Sequence, residues 1–130
     1  MTASVSYIKR ILDARVYDVA TQTRLHSAQL LSKRLDNRVL LKREDEQPIF
    51  SFKCRGAFNR LFKLTQTQSV TGVIAASAGN HAQGVALASS KLGLSAIIVM
   101  PVTTPQIKID AVIALGACLL YTSPSPRDRG

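Results

Sequence analysis

From residue 72 onward the chain alternates short apolar runs with helix-compatible stretches, and this alternation narrows its fold more than any other feature. Val73-Ile74-Ala75-Ala76 and Ala96-Ile97-Ile98-Val99-Met100 are continuous apolar runs of strand length, and residues 85–92 and 107–115 are patterned as helices. Strands that are apolar at every position and separated by helices predict a parallel sheet covered on both faces, a doubly wound α/β unit. Ligands of such sheets gather at the carboxyl ends of the strands. At one such end stands Ser77-Ala78-Gly79-Asn80-His81-Ala82-Gln83-Gly84. A small-residue loop that opens a helix leaves backbone N–H groups unpaired where the macrodipole favours negative charge, so it can hold a carboxylate or a phosphate. An ordinary turn capped by Asn80 has the same composition, and this segment alone does not separate the two.

Upstream, Val5, Ile8, Ile11 and Leu12 recur at helical spacing and predict an amphipathic helix over residues 4–14. A second helix is expected over 25–35, then a turn at Asp36-Asn37 and a short strand over 39–42 leading through Arg43-Glu44-Asp45 into a loop at Pro48. A helix over 55–64 follows, with Phe58, Leu61, Phe62 and Leu64 as its buried face.

The net charge of +9 raises the question of nucleic acid, but the basic residues are scattered: Lys33, Arg34, Lys42 and Arg43 stand among Asp36, Glu44 and Asp45. With aromatics at 5% and no stacking pattern, a solvated surface is expected and no nucleic-acid partner. Cys54 and Cys118 have neither metal-ligand spacing nor a disulfide framework, so a reducing compartment and no metal are expected. No run approaches the ~18 apolar residues of a membrane span, and the first residues lack a signal-peptide core. A cytoplasmic protein is the expectation.

A second motif, Ser51-Phe52-Lys53-Cys54-Arg55-Gly56-Ala57, follows Arg43-Glu44-Asp45 and precedes the octapeptide. In order and spacing these segments resemble the threonine ammonia-lyases (threonine dehydratases) of the fold-type II pyridoxal-phosphate enzymes. The resemblance runs over residues 7–117 and takes in Val39-Leu40-Leu41-Lys42, Ile97-Ile98-Val99-Met100-Pro101 and Ile107-Lys108-Ile109-Asp110-Ala111. It implies an α/β, parallel-sheet, tryptophan-synthase-β-like fold, incomplete here, with residues 1–71 in a large domain and 72–117 in part of a small one. Residues 118–130 are expected to be a non-native tail, because Pro124 and Pro126 in a Ser-rich run do not continue a helix. The chain then represents roughly the first quarter to third of a subunit.

The same resemblance implies pyridoxal 5'-phosphate as cofactor, with Lys53 forming the Schiff base and later taking the α-proton. An amine in that role is expected to be desolvated. Phe52 is implied to pack on the cofactor ring and Asn80 to hold its phenolic oxygen, while Ser77, Gly79, Asn80 and His81 receive the substrate α-carboxylate. The implied reaction converts L-threonine, or L-serine, to 2-oxobutanoate, or pyruvate, and ammonia, within isoleucine biosynthesis, in an enzyme that is a homo-oligomer. Arg55, Lys91 and Lys108 receive no role. Serine racemases and serine dehydratases are the alternative; racemases carry a second serine where this chain has Ala78, which has no proton to give. A catalytically inactive fragment is the other alternative, since the family's phosphate-binding glycine loop and pyridine-nitrogen partner lie later in sequence.

Overall fold

The computed structural model describes residues 6–122. Strands β3 (Gly72–Ala76), β4 (Ser95–Pro101) and β5 (Cys118–Thr122) form a three-stranded parallel sheet with β4 in the middle. The register runs from Gly72↔Ser95 to Ala76↔Val99 on one side and from Ile97↔Cys118 to Pro101↔Thr122 on the other. Helix α4 (Asn80–Leu92) joins β3 to β4, and α5 (Gln106–Ala114) joins β4 to β5. Gly93 ends α4 in the left-handed region, at φ 68°, which lets the Leu94 N–H reach the Ser89 carbonyl at 2.9 Å.

The core lies on one face of this sheet. Ala96, Ile98 and Met100 of β4 are buried with Phe58 of α3 (Lys53–Thr67), Ala82 and Val85 of α4, and Ile109 and Val112 of α5. On the other face Ile97 and Val99 are half-buried and Ile74 is 70% exposed. Among the described residues the sheet is therefore covered on one face, not on both as the apolar runs suggest. The physical reason is that α3, α4 and α5 all contribute to the same cluster.

Helix α3 begins two residues earlier than expected, at Lys53, and runs three further, to Thr67. Its buried residues, Cys54, Ala57, Phe58 and Leu61, follow the i, i+3, i+4, i+7 stripe of a helix with one face on a core. Phe62 and Leu64 pack at the margin, with the Phe62 ring stacked on Phe58 at 6.0 Å between centroids. Burying Phe58, which is 2% exposed, contributes about 1.5–3 kcal/mol. Through this stripe α3 packs directly on α4, across the division expected at residue 71.

The N-terminal expectations need two corrections. Within the expected helix over 4–14, α1 spans Tyr7–Leu12, residues 4 and 5 lying outside the described residues. The helix expected over 25–35 is instead strand β1 (Leu25–Ser27) followed by α2 (Gln29–Arg34). Strand β1 pairs antiparallel with β2 (Leu40–Lys42), Leu25 opposite Lys42 and Ser27 opposite Leu40, so non-local pairing overrides local helix preference. The connecting turn falls at Asp36, φ 45°, and Asn37, as read from the sequence.

Of the segment set apart as a tail, residues 118–122 are β5. Leu119, Leu120, Tyr121 and Thr122 are apolar or strand-prone and continue the parallel ladder beside β4. Pro124 and Pro126 lie outside the described residues. No helix among the described residues is long and apolar enough to cross a membrane.

Candidate active site

Helices α3 and α4 meet at a residue without a side chain. A Cβ on Gly84 would fall 2.9 Å from the Lys53 carbonyl oxygen, 3.1 Å from its carbonyl carbon and 3.3 Å from the Ala57 Cβ. Only glycine permits so close an approach of helix to backbone. Asn80 lies one helical repeat before Gly84, on the same face of α4. The second turn of α4 is thereby held against the first turn of α3, which carries Lys53.

Lys53 is exposed, with Nζ 5.0 Å from the centroid of the Phe52 ring, itself 58% exposed. The desolvated lysine expected from the chemistry is not what the chain folds into: Cys54 and Ala57 occupy the buried stripe of α3, and Lys53 falls off it. The Lys53 N–H donates to Ser51 Oγ at 3.3 Å, and the Cys54 thiol donates to the Ser51 carbonyl at 3.4 Å. Burial pushes the Cys54 thiol pKa up.

The loop before α4 is tied to the sheet by the Ser77 N–H, which donates to the Val99 carbonyl at 3.0 Å. Gly79, in extended backbone, occupies the cap position, and its N–H donates to Ser77 Oγ at 3.3 Å. No side chain caps α4. Asn80 is its first helical residue and is exposed, so the capping role the sequence also allowed falls to Gly79. Asn80 lines a cleft of about 280 Å³ with Phe50, Gln83, Ile107 and Lys108. His81 lines a different cleft, with Gly56, Arg60 and Val73. The structure thus groups Ser77, Gly79 and Asn80 at the start of α4, about one turn before its contact with the Lys53 backbone, and turns His81 to another side.

Sequence reasoning left one cluster unread. Arg55 grips Glu44 in two places, Nε to Oε2 at 2.8 Å and Nη2 to Oε1 at 3.0 Å. Glu44 Oε1 also accepts from Thr23 Oγ1, at 3.1 Å. Gln47, 1% exposed, accepts from the Thr21 N–H and donates to the Thr21 carbonyl, both at 2.8 Å, and donates to Glu44 Oε2 at 3.2 Å. The Arg55 hydrogen bonds hold the Glu44 carboxyl below the usual carboxylate range against the opposing effect of burial, and Glu44 in turn raises the guanidinium pKa. The only signal for this cluster in the sequence was the Arg43-Glu44-Asp45 motif. Of its other members, Arg43 pairs with Asp45 at 2.7 Å on the surface.

Glycine-mediated packing of α4 on the backbone of Lys53, with the loop before α4 tied to β4, frames the candidate site. The chain belongs to the pyridoxal-phosphate dependent enzyme family, whose model matches residues 16–130. Within it, the chain is similar to the biosynthetic L-threonine dehydratase of Burkholderia multivorans, with 59% identity over 114 residues, covering 88% of this chain and 22% of that protein. It is also similar to the processed form of threonine deaminase isoform 2 from Solanum lycopersicum, at 52% identity and a TM-score of 0.84, covering 94% of this chain and 36% of that one. Maize serine racemase superposes with a TM-score of 0.83 at 32% identity, covering 92% of this chain and 37% of that one. The chain spans about a fifth of the length of the threonine dehydratase that it matches.

The residues present fit the family's cofactor. Lys53 offers an accessible primary amine, Phe52 an exposed ring beside it, and Asn80 a free carboxamide at the start of a helix with no side-chain cap.

Proposed function

We propose that this chain supplies the lysine-bearing and carboxylate-binding elements of a pyridoxal-phosphate dependent threonine dehydratase, which converts L-threonine, and L-serine, to the 2-oxo acid and ammonia. The observation that carries the proposal is the Gly84–Lys53 approach, which packs the backbone bearing an accessible amine against α4 about one turn after its open start. Lys53 Nζ would hold the cofactor's aldehyde carbon, the Phe52 ring would lie against the pyridine, and the Asn80 amide would donate to the phenolic oxygen. When bound, the cofactor supplies an electron sink for negative charge at the substrate Cα. The substrate carboxylate is received by the backbone N–H groups and side chains of residues 77–81, where the helix start favours an anion. With its amine set free once the substrate amine has taken its place on the cofactor, Lys53 would take the α-proton as a general base, and the β-hydroxyl would leave with a proton as water. The separate cleft of His81 supports a part in shaping the loop rather than in proton transfer.

Ala78 favours elimination over racemisation, because a methyl group offers no proton to the opposite face of Cα. A homo-oligomer in the cytoplasm belongs to the same proposal, supported by the exposed Ile74 and Leu120 on the open sheet face and by two free cysteines. The proposed partition places residues 1–71 in the large domain and 72–117 in the small one. Treating the chain with pyridoxal phosphate, reducing with borohydride and mapping the modified peptides tests the reading. The adduct is expected at Lys53 in preference to the exposed Lys91, and to be lost in Lys53→Arg. Even modification of the two lysines would refute it.

A further inference from the structure

We propose that Gln47, Glu44 and Arg55 are positioning residues for Lys53: together they form a polar clamp that holds both ends of the loop carrying the amine. This rests on the reading of Lys53 given above. Lys53 Nζ ends a long, exposed side chain, so the protein controls its location through the backbone that bears it. That backbone is the loop 48–52 and the first turn of α3.

At the entrance, Gln47 is buried and bonded to both backbone groups of Thr21, which lies 26 residues away in sequence. At the exit, Arg55 is bonded to Glu44 and, through Nη2, to the Thr21 carbonyl at 3.3 Å. Its guanidinium also stacks 5.3 Å from the centroid of the Tyr17 ring. Glu44 joins the two ends, because it accepts from both Gln47 and Arg55. Thr21 is therefore a common anchor, and the loop cannot shift at one end without straining the other.

Between these ends the loop holds a strained conformation. Phe50 has φ 54°, a left-handed backbone that a bulky aromatic residue rarely adopts, with its N–H donating to the Gln47 carbonyl at 2.7 Å. Such strain persists only where the surroundings over-determine it. Ser51, buried immediately after, passes the geometry on by accepting from the Lys53 N–H and the Cys54 thiol. The planar, two-pronged contact of Arg55 fixes direction as well as distance, which the point charge of a lysine would not.

The test uses the full chain, with pyridoxal phosphate as the probe, in Gln47→Leu, Arg55→Met and Arg55→Lys. Three quantities are read: the ratio of borohydride-fixed adduct at Lys53 to that at Lys91, amide exchange at residues 50–54, and amide protection in β4 as the measure of fold. The expected result is a roughly tenfold fall in the Lys53:Lys91 ratio with faster exchange at 50–54 and an unchanged β4, and partial recovery of the ratio in Arg55→Lys relative to Arg55→Met. Faster exchange with an unchanged ratio would reduce the clamp to a stability device and overturn the proposal, as would no change in either. Should Gln47→Leu or Arg55→Met lose β4 protection, Arg55→Lys, which retains the charge, decides by the same criteria. A ratio near one in the unsubstituted chain, with exchange at 50–54 slow, would instead refute the assignment of Lys53, and the clamp's purpose with it.

Discussion

Gly84→Ala adds one methyl group at the crossing of α3 and α4, and its cost follows from the geometry. The new Cβ would stand 2.9 Å from the Lys53 carbonyl oxygen, roughly 0.5 Å inside ordinary contact. The neighbour is backbone in the first turn of a helix, so the helices must part. Overpacking of this kind costs about 1–3 kcal/mol, while replacing a helical glycine by alanine returns about 1 kcal/mol. Gly56→Ala is the internal control: it lies in α3, is exposed, and has nothing within 4 Å of the position its Cβ would take. The propensity gain is common to both substitutions, so their difference isolates the overpacking, roughly 1–3 kcal/mol. Thermal melts followed by circular dichroism should therefore place Gly84→Ala roughly 3–15 °C below Gly56→Ala for a chain of this size. The adduct ratio at Lys53 should fall in the first variant and not in the second. Coincident melting curves would show that the helices do not meet at Gly84, and the site would lose its geometric basis.

Acidification tests the Glu44–Arg55 pair. The folded-state pKa of Glu44 is depressed, so its contribution is fully present above the unfolded carboxyl value of about 4.3 and is lost as pH falls through the lower folded value. The melting-temperature gap between the unsubstituted chain and Glu44→Gln should be steady from about pH 5 to 7 and close below roughly pH 4; a gap that widens on acidification refutes the assignment. The thiols should divide by exposure. A maleimide is expected to modify Cys118 promptly and Cys54, buried with a raised pKa, only after unfolding in urea, and equal native rates measured by mass spectrometry would contradict the packing around α3.

What was legible in the sequence is what depends on near neighbours. The runs at 73–76 and 96–100 and the periodic stretches after them gave β3, β4, α4 and α5, because apolar continuity and helical spacing are local properties. Lys53, Phe52 and the loop before α4 were singled out as candidates through motif order. Strand β1 was missed because Leu25-His26-Ser27 is extended only by pairing with residues 40–42. Arg55 was left without a role because its partner, Glu44, lies 11 residues away across a short 3₁₀ turn. Gly84 read as one more small residue in a loop-like segment; its necessity comes from Lys53 on another helix. The exposure of Lys53 went against chemical expectation, since catalysis asks for a desolvated amine whereas the stripe of α3 assigns burial to Cys54 and Ala57. Strand β5 was obscured by the prolines at 124 and 126, which overshadowed the strand-forming residues just before them.

The parallel sheet also determines which strand ends lie together. Since β3, β4 and β5 run in one direction, their last residues, Ala76, Pro101 and Thr122, end on a single rim, and Ser77 of the candidate site begins there. Strands stand about 4.8 Å apart, so Thr122 lies two strand spacings, roughly 10 Å, across the sheet from the end of β3. Any fusion partner attached directly after Thr122 would therefore begin on the rim that carries Ser77. An affinity handle on this chain belongs at the other terminus, where α1 buries none of its residues.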